Sequence, residues 1–339
     1  MTLQPFLDAI GQEVEDVEEE CFELFSRDIP SANLGFVDSR ATTIDVTIHG
    51  NDFTIHQSPT LLSSTRAGGT TGAVLWKITP LFAEWISNPT NSNPFWSSSI
   101  LHPSSTAVEL GCGISGLVAL ALAPSIGHYI ATDQEYVRRL FRANLDENIQ
   151  TASSSRLGSS SSSSSSRGGP RTHTQNNKQK RGNKPTATAA GTKGTNNITF
   201  TPLDWELDAP STLKETIQTE QLPSSSSSSS SSETPDLGFD LLISCDCIYN
   251  ESLVAPFVRT CADICRLRPA YVSDSEDAGS RPTVCVIAQQ QRSPDVFETW
   301  LRETMRYFRV WRVSDEVLGR KLQAGTGYLV HVLLVRGEE

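Results

Sequence analysis

One stretch of the chain, VELGCGISGLVALAL from Val108 to Leu122, places an apolar strand pattern directly before three glycines and an apolar helix pattern. The glycines Gly111, Gly113 and Gly116 are spaced G-x-G-x-x-G, which is typical of a turn that brings a ligand close to a helix N-terminus. A strand that continues into a helix in this way favours an α/β fold with a parallel sheet. An ordinary strand-to-helix turn is the alternative interpretation of the glycines.

The rest of the chain repeats this alternation once the polar insertions are set aside. Strand patterns occupy 106–110, 128–133, 198–205, 239–246 and 283–290, and helix patterns occupy 115–123, 135–149, 251–267 and 294–307. Two further strands, 308–314 and 328–336, close the chain with no helix predicted between them. The pattern predicts an α/β fold with a seven-stranded, mostly parallel sheet, helices on both faces and an antiparallel edge hairpin.

Three polar segments interrupt this pattern and are predicted to be low-complexity insertions. They span about 151–197, 220–236 and 268–282, and the first two contain the serine runs Ser159–Ser166 and Ser224–Ser232. Serine runs bury no apolar surface, so they are expected to be solvated loops. The domain prediction is therefore one unit over 68–339 that carries these insertions, preceded by an extension over 1–67.

The extension is expected to consist of a helix and a hairpin. Apolar residues between Phe6 and Phe25 recur every three or four positions, which predicts one amphipathic helix. TIDVTIHGNDFTIHQ (43–57) alternates around a Gly-Asn-Asp turn, which predicts a β-hairpin. We expect the acidic face of the helix to attract a basic protein. The acids are Asp8, Glu13, Glu15, Asp16, Glu18, Glu19, Glu20, Glu23 and Asp28.

Charge and composition limit the classes of function. The 339 residues carry a net charge of −11, although 151–197 is basic. An acidic body disfavours direct nucleic-acid binding and favours a basic partner. No run of eighteen apolar residues is present, so no membrane-spanning helix is expected. The seven cysteines include no C-x-x-C pair, which favours buried thiols over a disulfide framework or a metal site.

The carboxylate of Glu109, two residues before Gly111, bears on which ligand the loop suits. A fixed carboxylate there would repel the two phosphates of a nicotinamide cofactor. S-adenosylmethionine has no phosphate and carries an ammonium and a sulfonium, so Glu109 favours it. Asp133 ends the next strand, where it is placed to accept the ribose hydroxyl groups of either cofactor. The alternative role for Asp133 is a helix N-cap.

Five motifs in order resemble the class I S-adenosylmethionine-dependent methyltransferases, and within them methyltransferase family 16 with its fungal ribosomal lysine N-methyltransferases. VELGCGISGLVAL is similar to the first motif, and ATD (131–133) to the acidic ribose motif. GGTTGAVLWKITPLFAEWI is similar to the upstream G-x-x-x-W element, LDW (203–205) to the adenine-side motif, and SCDCIYN to the D-x-x-Y signature. The resemblance implies a Rossmann-like fold and S-adenosyl-L-methionine as the cofactor.

The resemblance also implies roles for individual residues. It places Asp246 and Tyr249 in catalysis, where Asp246 recruits and orients the substrate lysine and Tyr249 positions the amine. The residues it assigns to cofactor binding are Trp76, Glu109, Gly111, Cys112, Gly113, Asp133, Trp205 and Cys245. The implied substrate is a lysine of a basic large-subunit (60S) ribosomal protein. We expect a monomer in the cytoplasm, with the nucleus as the alternative.

Each of these assignments has an alternative. Asp246 would otherwise be a helix N-cap, and Tyr249, Trp76 and Trp205 would be core aromatics. Glu206 follows Trp205 where the family commonly has glycine, which is tolerable if its side chain points outward. The alternative functions are a methyltransferase acting on nucleic acid or a small molecule, and a non-catalytic or nicotinamide-binding protein. The sequence has no N-P-P-[YF] motif for methylation of the exocyclic amines of bases, which disfavours a nucleic-acid substrate, and Glu109 disfavours a nicotinamide cofactor.

Overall fold

A computed structural model describes residues 3–26, 35–65, 69–158, 197–214, 236, 238–272 and 281–337, without the side chains of 150–158. Most of the predicted insertions at 151–197 and 220–236, and the central part of 268–282, lie outside the described residues. The predicted domain boundaries therefore stay predictions.

The described elements follow the predicted alternation closely. The strands are β1 (Gly11–Val14), β2 (Thr43–Ile48), β3 (Asn51–His56), β4 (Thr106–Leu110), β5 (His128–Asp133), β6 (Ile198–Pro202), β7 (Leu241–Cys245), β8 (Val284–Gln290), β9 (Phe308–Val313) and β10 (Tyr328–Val335). The helices are α1 (Gln4–Ile10), α2 (Val17–Phe25), α3 (Pro59–Leu62), α4 (Ile78–Ile86), α5 (Pro94–Ser97), α6 (Leu117–Leu122), α7 (Arg138–Gly158), α8 (Val254–Cys265), α9 (Pro294–Met305) and α10 (Asp315–Leu318).

Eight strands form one sheet in the order β1-β9-β10-β8-β7-β4-β5-β6. Strands β8, β7, β4, β5 and β6 are parallel, whereas β10 is antiparallel to both β8 and β9. The mostly parallel sheet and the antiparallel closing strands are thus confirmed. The strand count differs, because β1 adds an eighth strand antiparallel to β9.

The order of the strands creates a switch point next to β4. The chain runs from β4 outward through β5 to β6, then crosses back to place β7 and β8 on the other side of β4. Connections on the two sides leave in opposite directions, so a crevice opens at the carboxyl ends of β4 and β7. Ligands of open α/β sheets bind in such a crevice.

Helices cover both faces of the sheet, as predicted. Ala107 of β4 packs in one apolar cluster together with residues of α1, α4, α6 and α7. The next residue, Val108, packs in a second cluster with residues of α2, α8 and α9. Successive residues of a strand point to opposite faces, which explains why β4 is apolar throughout. No helix within the described ranges is long and apolar enough to cross a bilayer.

The prediction of one helix from Phe6 to Phe25 is wrong. Gly11 ends α1 with a φ of 155°, and β1 begins at the same residue. A Cβ on Gly11 would overlap the carbonyl oxygen of Arg312 on β9, so only glycine permits this strand pairing. Asp16 then starts α2 as its N-cap by accepting a hydrogen bond of 2.8 Å from the Glu19 amide.

The expectation of one acidic face is also wrong. Four of its acids form ion pairs within the molecule: Glu13 with Arg309, Glu18 with Arg302, and Glu20 and Glu23 with Arg312. Arg309 and Arg312 belong to β9, and Arg302 belongs to α9. These four of the nine acids therefore attach the N-terminal segment to β9 and α9, and three arginines compensate part of their charge within the molecule.

The predicted hairpin, β2 and β3, is confirmed and docks on α7 through two asparagines. The Thr54 amide donates to Asn148 and the His56 amide to Asn144, each over 2.8 Å. Asn144 also donates to the carbonyl of Ile114 over 2.7 Å. Because Ile114 directly follows Gly113, the hairpin is connected to the glycine turn through one fully buried side chain.

We expect Gly11→Ala to lower the free energy of unfolding by about 3 kcal/mol or more, because alanine meets both an unfavourable φ and a backbone overlap. Gly325→Ala is the matched control, since Gly325 has a φ of 81° and open space around a Cβ. The control should lose about 1–2 kcal/mol. Urea unfolding of both variants measures the difference. Equal losses would show that β1 does not pair with β9 in solution.

Candidate active site

A cavity of about 430 Å³ lies at the switch point, at the carboxyl ends of β4, β5 and β7. Its size is within the range of small-molecule sites, about 300–1,000 Å³. The structure brings all ten residues predicted from the sequence to the wall of this one cavity: Trp76, Glu109, Gly111, Cys112, Gly113, Asp133, Trp205, Cys245, Asp246 and Tyr249. The role of each residue stays a prediction, whereas the structure shows that all ten lie at the same cavity.

The glycine turn forms the floor of the cavity. Gly111 has a φ of 70°, and a Cβ there would overlap the Sγ of Cys247. The same Cβ would lie 3.4 Å from the Trp205 ring, so glycine lets the ends of β4 and β7 approach each other. Cys112 continues the turn and donates its amide to the carbonyl of Thr132 over 3.0 Å.

The upstream G-x-x-x-W segment, Gly72 to Trp76, lies across the glycine turn. The Ile114 amide donates to the carbonyl of Gly72 over 2.9 Å. Trp76 donates its ring N–H to the carbonyl of Thr71 over 3.1 Å, which fixes the ring at the cavity wall. A segment 35 or more residues before the turn in the chain thus closes one side of the cavity.

Asp133 holds the turn by hydrogen bonds to backbone amides. Its carboxylate accepts from the amides of Gly113 over 2.8 Å and of Gln134 over 2.7 Å. These two bonds leave acceptor positions on both oxygens for a ligand. Burial raises the pKa of Asp133 to about 6, although the two amides act in the opposite direction. The N-cap alternative is wrong, because the next helical turn, Glu135–Val137, has Gln134 at its N-cap position and no side-chain cap.

Glu109 is bonded to a tyrosine of the neighbouring strand β5 and not to the glycine turn. Its side chain is buried, and the Tyr129 hydroxyl donates to it over 2.8 Å. The loop amide of Gly113 pairs with Asp133 instead. Burial, with the nearby charge of Asp133, raises the pKa of Glu109 to about 8. Glu109 is therefore protonated near pH 7, so the argument that its charge repels phosphates loses its basis.

The two tryptophans lie at the cavity wall and are only partly enclosed. Trp205 packs on Phe257 at 5.0 Å between ring centroids, and its ring N–H has no acceptor among the described residues although it is shielded from solvent. Trp76 packs on Phe36 at 4.5 Å, and the Arg292 guanidinium lies 4.9 Å from its ring centroid. Both rings line the cavity and also pack against the apolar clusters, so their cofactor-binding role stays a prediction.

Asp246 forms an ion pair that sequence reasoning missed. Arg292 donates to both carboxylate oxygens, over 2.7 Å to Oδ1, and the Gln290 amide donates to the same Oδ1 over 3.1 Å. The Asp246 side chain is 1% exposed. It caps no helix, because Asn250 is the cap of the following turn. Arg292 stands two residues beyond β8, which neighbours β7 in the sheet, and this adjacency was the available signal.

Tyr249 and two cysteines complete this end of the cavity. The Thr71 hydroxyl donates to the Tyr249 hydroxyl over 3.0 Å, and burial raises the pKa of Tyr249. Tyr249 is 37% exposed, so it is not a core aromatic. Cys245 lies buried beside Thr79. Cys247, which the sequence analysis did not select, contacts the backbone at Leu110 and Gly111.

The charged groups that line the cavity all have one sign. Five carboxyl side chains line it, and no Lys, Arg or His does within the described part of the chain; the five are Glu109, Asp133, Asp204, Glu206 and Asp246. Glu109 is protonated near pH 7 and Asp246 is paired with Arg292, so the uncompensated negative charge belongs to the other three. Glu206 is exposed at the rim, as expected for an outward side chain. A cavity with this lining favours a cationic ligand and offers no counter-charge to phosphates.

Comparison with known proteins gives several relatives, and no protein-family model matches the chain. A Schizosaccharomyces pombe diaminohydroxyphosphoribosylamino-pyrimidine deaminase is 36% identical over 40% of this chain and 32% of that protein. Ribosomal lysine N-methyltransferase 5 of Zygosaccharomyces rouxii is 28% identical over 75% of this chain and 70% of the relative. Its namesake from Candida glabrata is 25% identical over 87% and 90%.

The chain therefore spans about a third of the length of the first relative and most of the other two. The resemblance to ribosomal lysine N-methyltransferases is confirmed, whereas membership of family 16 stays a prediction. Among solved structures, the N-methyltransferase NodS of Bradyrhizobium japonicum in complex with S-adenosyl-L-homocysteine matches 72% of this chain and 89% of its own, with 12% identity and a TM-score of 0.34. That structural likeness is too weak to carry an assignment.

We expect the protonation of Glu109 to make stability depend on pH. Between pH 4.5 and about 8, the folded protein keeps a proton on Glu109 that the unfolded chain has already released. The free energy of unfolding should therefore fall as pH rises through this window, by up to about 1.4 kcal/mol per pH unit. Glu109→Gln removes this loss of stability. The melting temperature of the variant, measured relative to that of the wild type, should therefore increase from pH 5 to pH 8.

Thermal unfolding of the two proteins at several pH values measures this difference. Asp133 contributes equally to both and cancels in the comparison. Glu19→Gln, an exposed control, should follow the wild type. A constant difference between Glu109→Gln and the wild type at every pH would mean that Glu109 is ionised in the folded protein.

Proposed function

We propose that this protein is an S-adenosyl-L-methionine-dependent protein-lysine N-methyltransferase. The observation that carries the proposal is the cavity at the switch point, whose charged lining consists of carboxyl groups alone. Both the cofactor, a sulfonium with an ammonium group, and a lysine side chain approach as cations. Relatives named ribosomal lysine N-methyltransferase 5, which match most of the chain, support the same assignment.

The residues on the cofactor side fit the proposed ligand. Asp133 has carboxylate acceptor positions left after its two amide bonds, which suits a ribose diol. The shielded ring N–H of Trp205 lacks an acceptor among the described residues, and a base nitrogen or a carboxylate of the ligand would supply one. Gly111 keeps the floor free of side chains. When bound, S-adenosylmethionine supplies a methyl group that an amine nitrogen can attack.

The opposite end of the cavity receives the lysine. Only a neutral amine has the lone pair needed for attack, and free lysine has a pKa of about 10.4. Making it mostly neutral near pH 7 requires a free energy of about 5 kcal/mol. Burial beside a cationic sulfonium lowers the amine pKa and supplies part of this shift. The proposed role of Tyr249 is to orient the amine, and the hydrogen bond that its hydroxyl accepts from Thr71 supports this role.

The substrate class follows from charge at the rim and in the body of the protein. Glu206 is exposed where the cavity opens, beside Leu207, which is 84% exposed. A basic segment of a substrate protein can form an ion pair with Glu206 and cover the side chain of Leu207. We propose a basic protein of the large (60S) ribosomal subunit as the substrate and a monomeric enzyme. The seven cysteines form no disulfide, which supports a cytoplasmic location.

The other functions receive less support. A nicotinamide cofactor brings two phosphates, and no cationic side chain among the described residues lines the cavity to bind them. A nucleic-acid substrate brings one phosphate per nucleotide to a rim that carries Asp204, Glu206 and Asp208. Repulsion at these positions disfavours both.

Transfer of labelled methyl groups tests the proposal. The purified protein is incubated with radiolabelled S-adenosylmethionine and with 60S proteins from cells that lack it, and labelled residues are identified by mass spectrometry. We expect label on lysine of one basic protein. Asp246→Asn should keep cofactor binding and lower the rate, because its carboxylate lies at the lysine end. Label on RNA, or on no component, would overturn the proposal.

We expect Asp133→Ala to weaken S-adenosylmethionine binding by about 1.5–3 kcal/mol, because a charged acceptor for the ribose and for the Gly113 amide is lost. Calorimetric titration measures the change. Asp45→Ala serves as the control, since Asp45 lies exposed on the hairpin, and it should bind as the wild type does. Unchanged affinity in Asp133→Ala would remove Asp133 from the cofactor site.

A further inference from the structure

We propose that Arg292 is a positioning residue that lets the substrate lysine react as a neutral amine. Arg292 does this by compensating the charge of Asp246 at the lysine end of the cavity. The inference rests on the proposed function and adds to it a residue that the motifs do not contain. It also changes the role of Asp246, from a carboxylate that binds an ammonium to one half of a neutral pair.

The geometry of the pair supports this role. Arg292 donates to both oxygens of Asp246, with 2.7 Å between Nη1 and Oδ1. A bidentate guanidinium–carboxylate pair is specific in orientation and strong when it is shielded from water. The Asp246 side chain is 1% exposed and that of Arg292 is 19% exposed, so solvent screens the pair weakly.

Further contacts keep Arg292 in this position. Its guanidinium lies 4.9 Å from the ring centroid of Trp76, a cation–π contact, and it donates to the side chain of Gln290. The Gln290 amide donates to Asp246, so the end of β8 holds both members of the pair. Asp246 itself has a φ of 64°, a costly conformation for a residue other than glycine. The site thus retains a strained residue to present this carboxylate to Arg292.

The electrostatic consequence has a definite sign. An isolated carboxylate beside the amine would favour the ammonium form and raise the pKa of the amine. A paired carboxylate has little net charge to offer, and the guanidinium next to it disfavours a second cation. Arg292 therefore keeps the pKa of the bound amine lower than an unpaired Asp246 would allow, and more of the lysine is neutral at a given pH.

Other titratable groups surround the pair, and none of them is a cation that could replace Arg292 within the described residues. Glu109 and Asp133 are carboxyl groups with raised pKa values, and Cys245, Cys247, Tyr249 and Tyr328 have pKa values raised by burial. These thiols and phenols are neutral near pH 7. The charge at the lysine end of the cavity therefore depends on Arg292 and Asp246.

Single-turnover methylation as a function of pH tests the inference. Enzyme in excess, saturated with labelled S-adenosylmethionine, is mixed with 60S proteins that lack the modification, and the rate constant is measured from pH 6 to pH 10. In Arg292→Gln we expect the rising limb to move to higher pH by about 1–3 units, with a similar plateau. The double variant Arg292→Gln with Asp246→Asn should return the limb toward the wild-type position, because both charges are absent.

One control variant and three contrary outcomes separate the explanations. Arg302→Gln, which breaks the exposed ion pairs of Arg302 with Glu18 and Glu298, should leave the rising limb of the pH profile unchanged. A merely structural Arg292 would lower the plateau and melting temperature and leave the limb in place, which would overturn the inference while the proposed function stands. A rising limb that moves as far in the double variant as in Arg292→Gln would also overturn the inference. Absence of transfer by the wild type would overturn the proposed function and this inference together.

Discussion

The cavity depends on one close approach, between Gly111 at the end of β4 and Cys247 just beyond β7. The Cys247 sulfur lies within 4 Å of the Leu110 and Gly111 carbonyl oxygens, and it occupies the space that a Cβ on Gly111 would need. Parallel pairing of β4 with β7 brings the two strand ends to one edge of the sheet. Gly111 and Cys112 directly follow β4, and Asp246 directly follows β7, so this contact sets their relative position at the cavity.

Charge is managed differently at the two ends of the cavity. On the cofactor side, burial raises the pKa of Glu109 to about 8, so Glu109 is neutral near pH 7, whereas Asp133, with a pKa of about 6, keeps its charge. On the lysine side, Asp246 is compensated by Arg292. The same desolvation penalty acts at both ends. A proton neutralises Glu109 at one end, and a guanidinium compensates Asp246 at the other. This difference suits a ligand that stays cationic on the cofactor side and an amine that must become neutral on the lysine side.

Much of the site could be predicted from the sequence, because its residues stand in short motifs next to strand ends. The glycine turn, Asp133 and Asp246 each follow a strand whose apolar pattern is unambiguous, and all three line the cavity. The single N-terminal helix was mispredicted for the opposite reason. Its apolar spacing continues across Gly11, and only pairing with β9 decides that the chain is extended there.

The sequence by itself determined the α/β architecture, the order along the chain of the strands that carry the motifs, and ten of the residues that meet at the crevice. These features depend on local patterns, since strand and helix periodicity can be counted along the chain. The tertiary structure alone decided the partners of the charged groups: Arg292 for Asp246, Tyr129 for Glu109, and arginines of β9 and α9 for the N-terminal acids. Such pairs join residues far apart in sequence, and their energy depends on burial, which no local pattern contains.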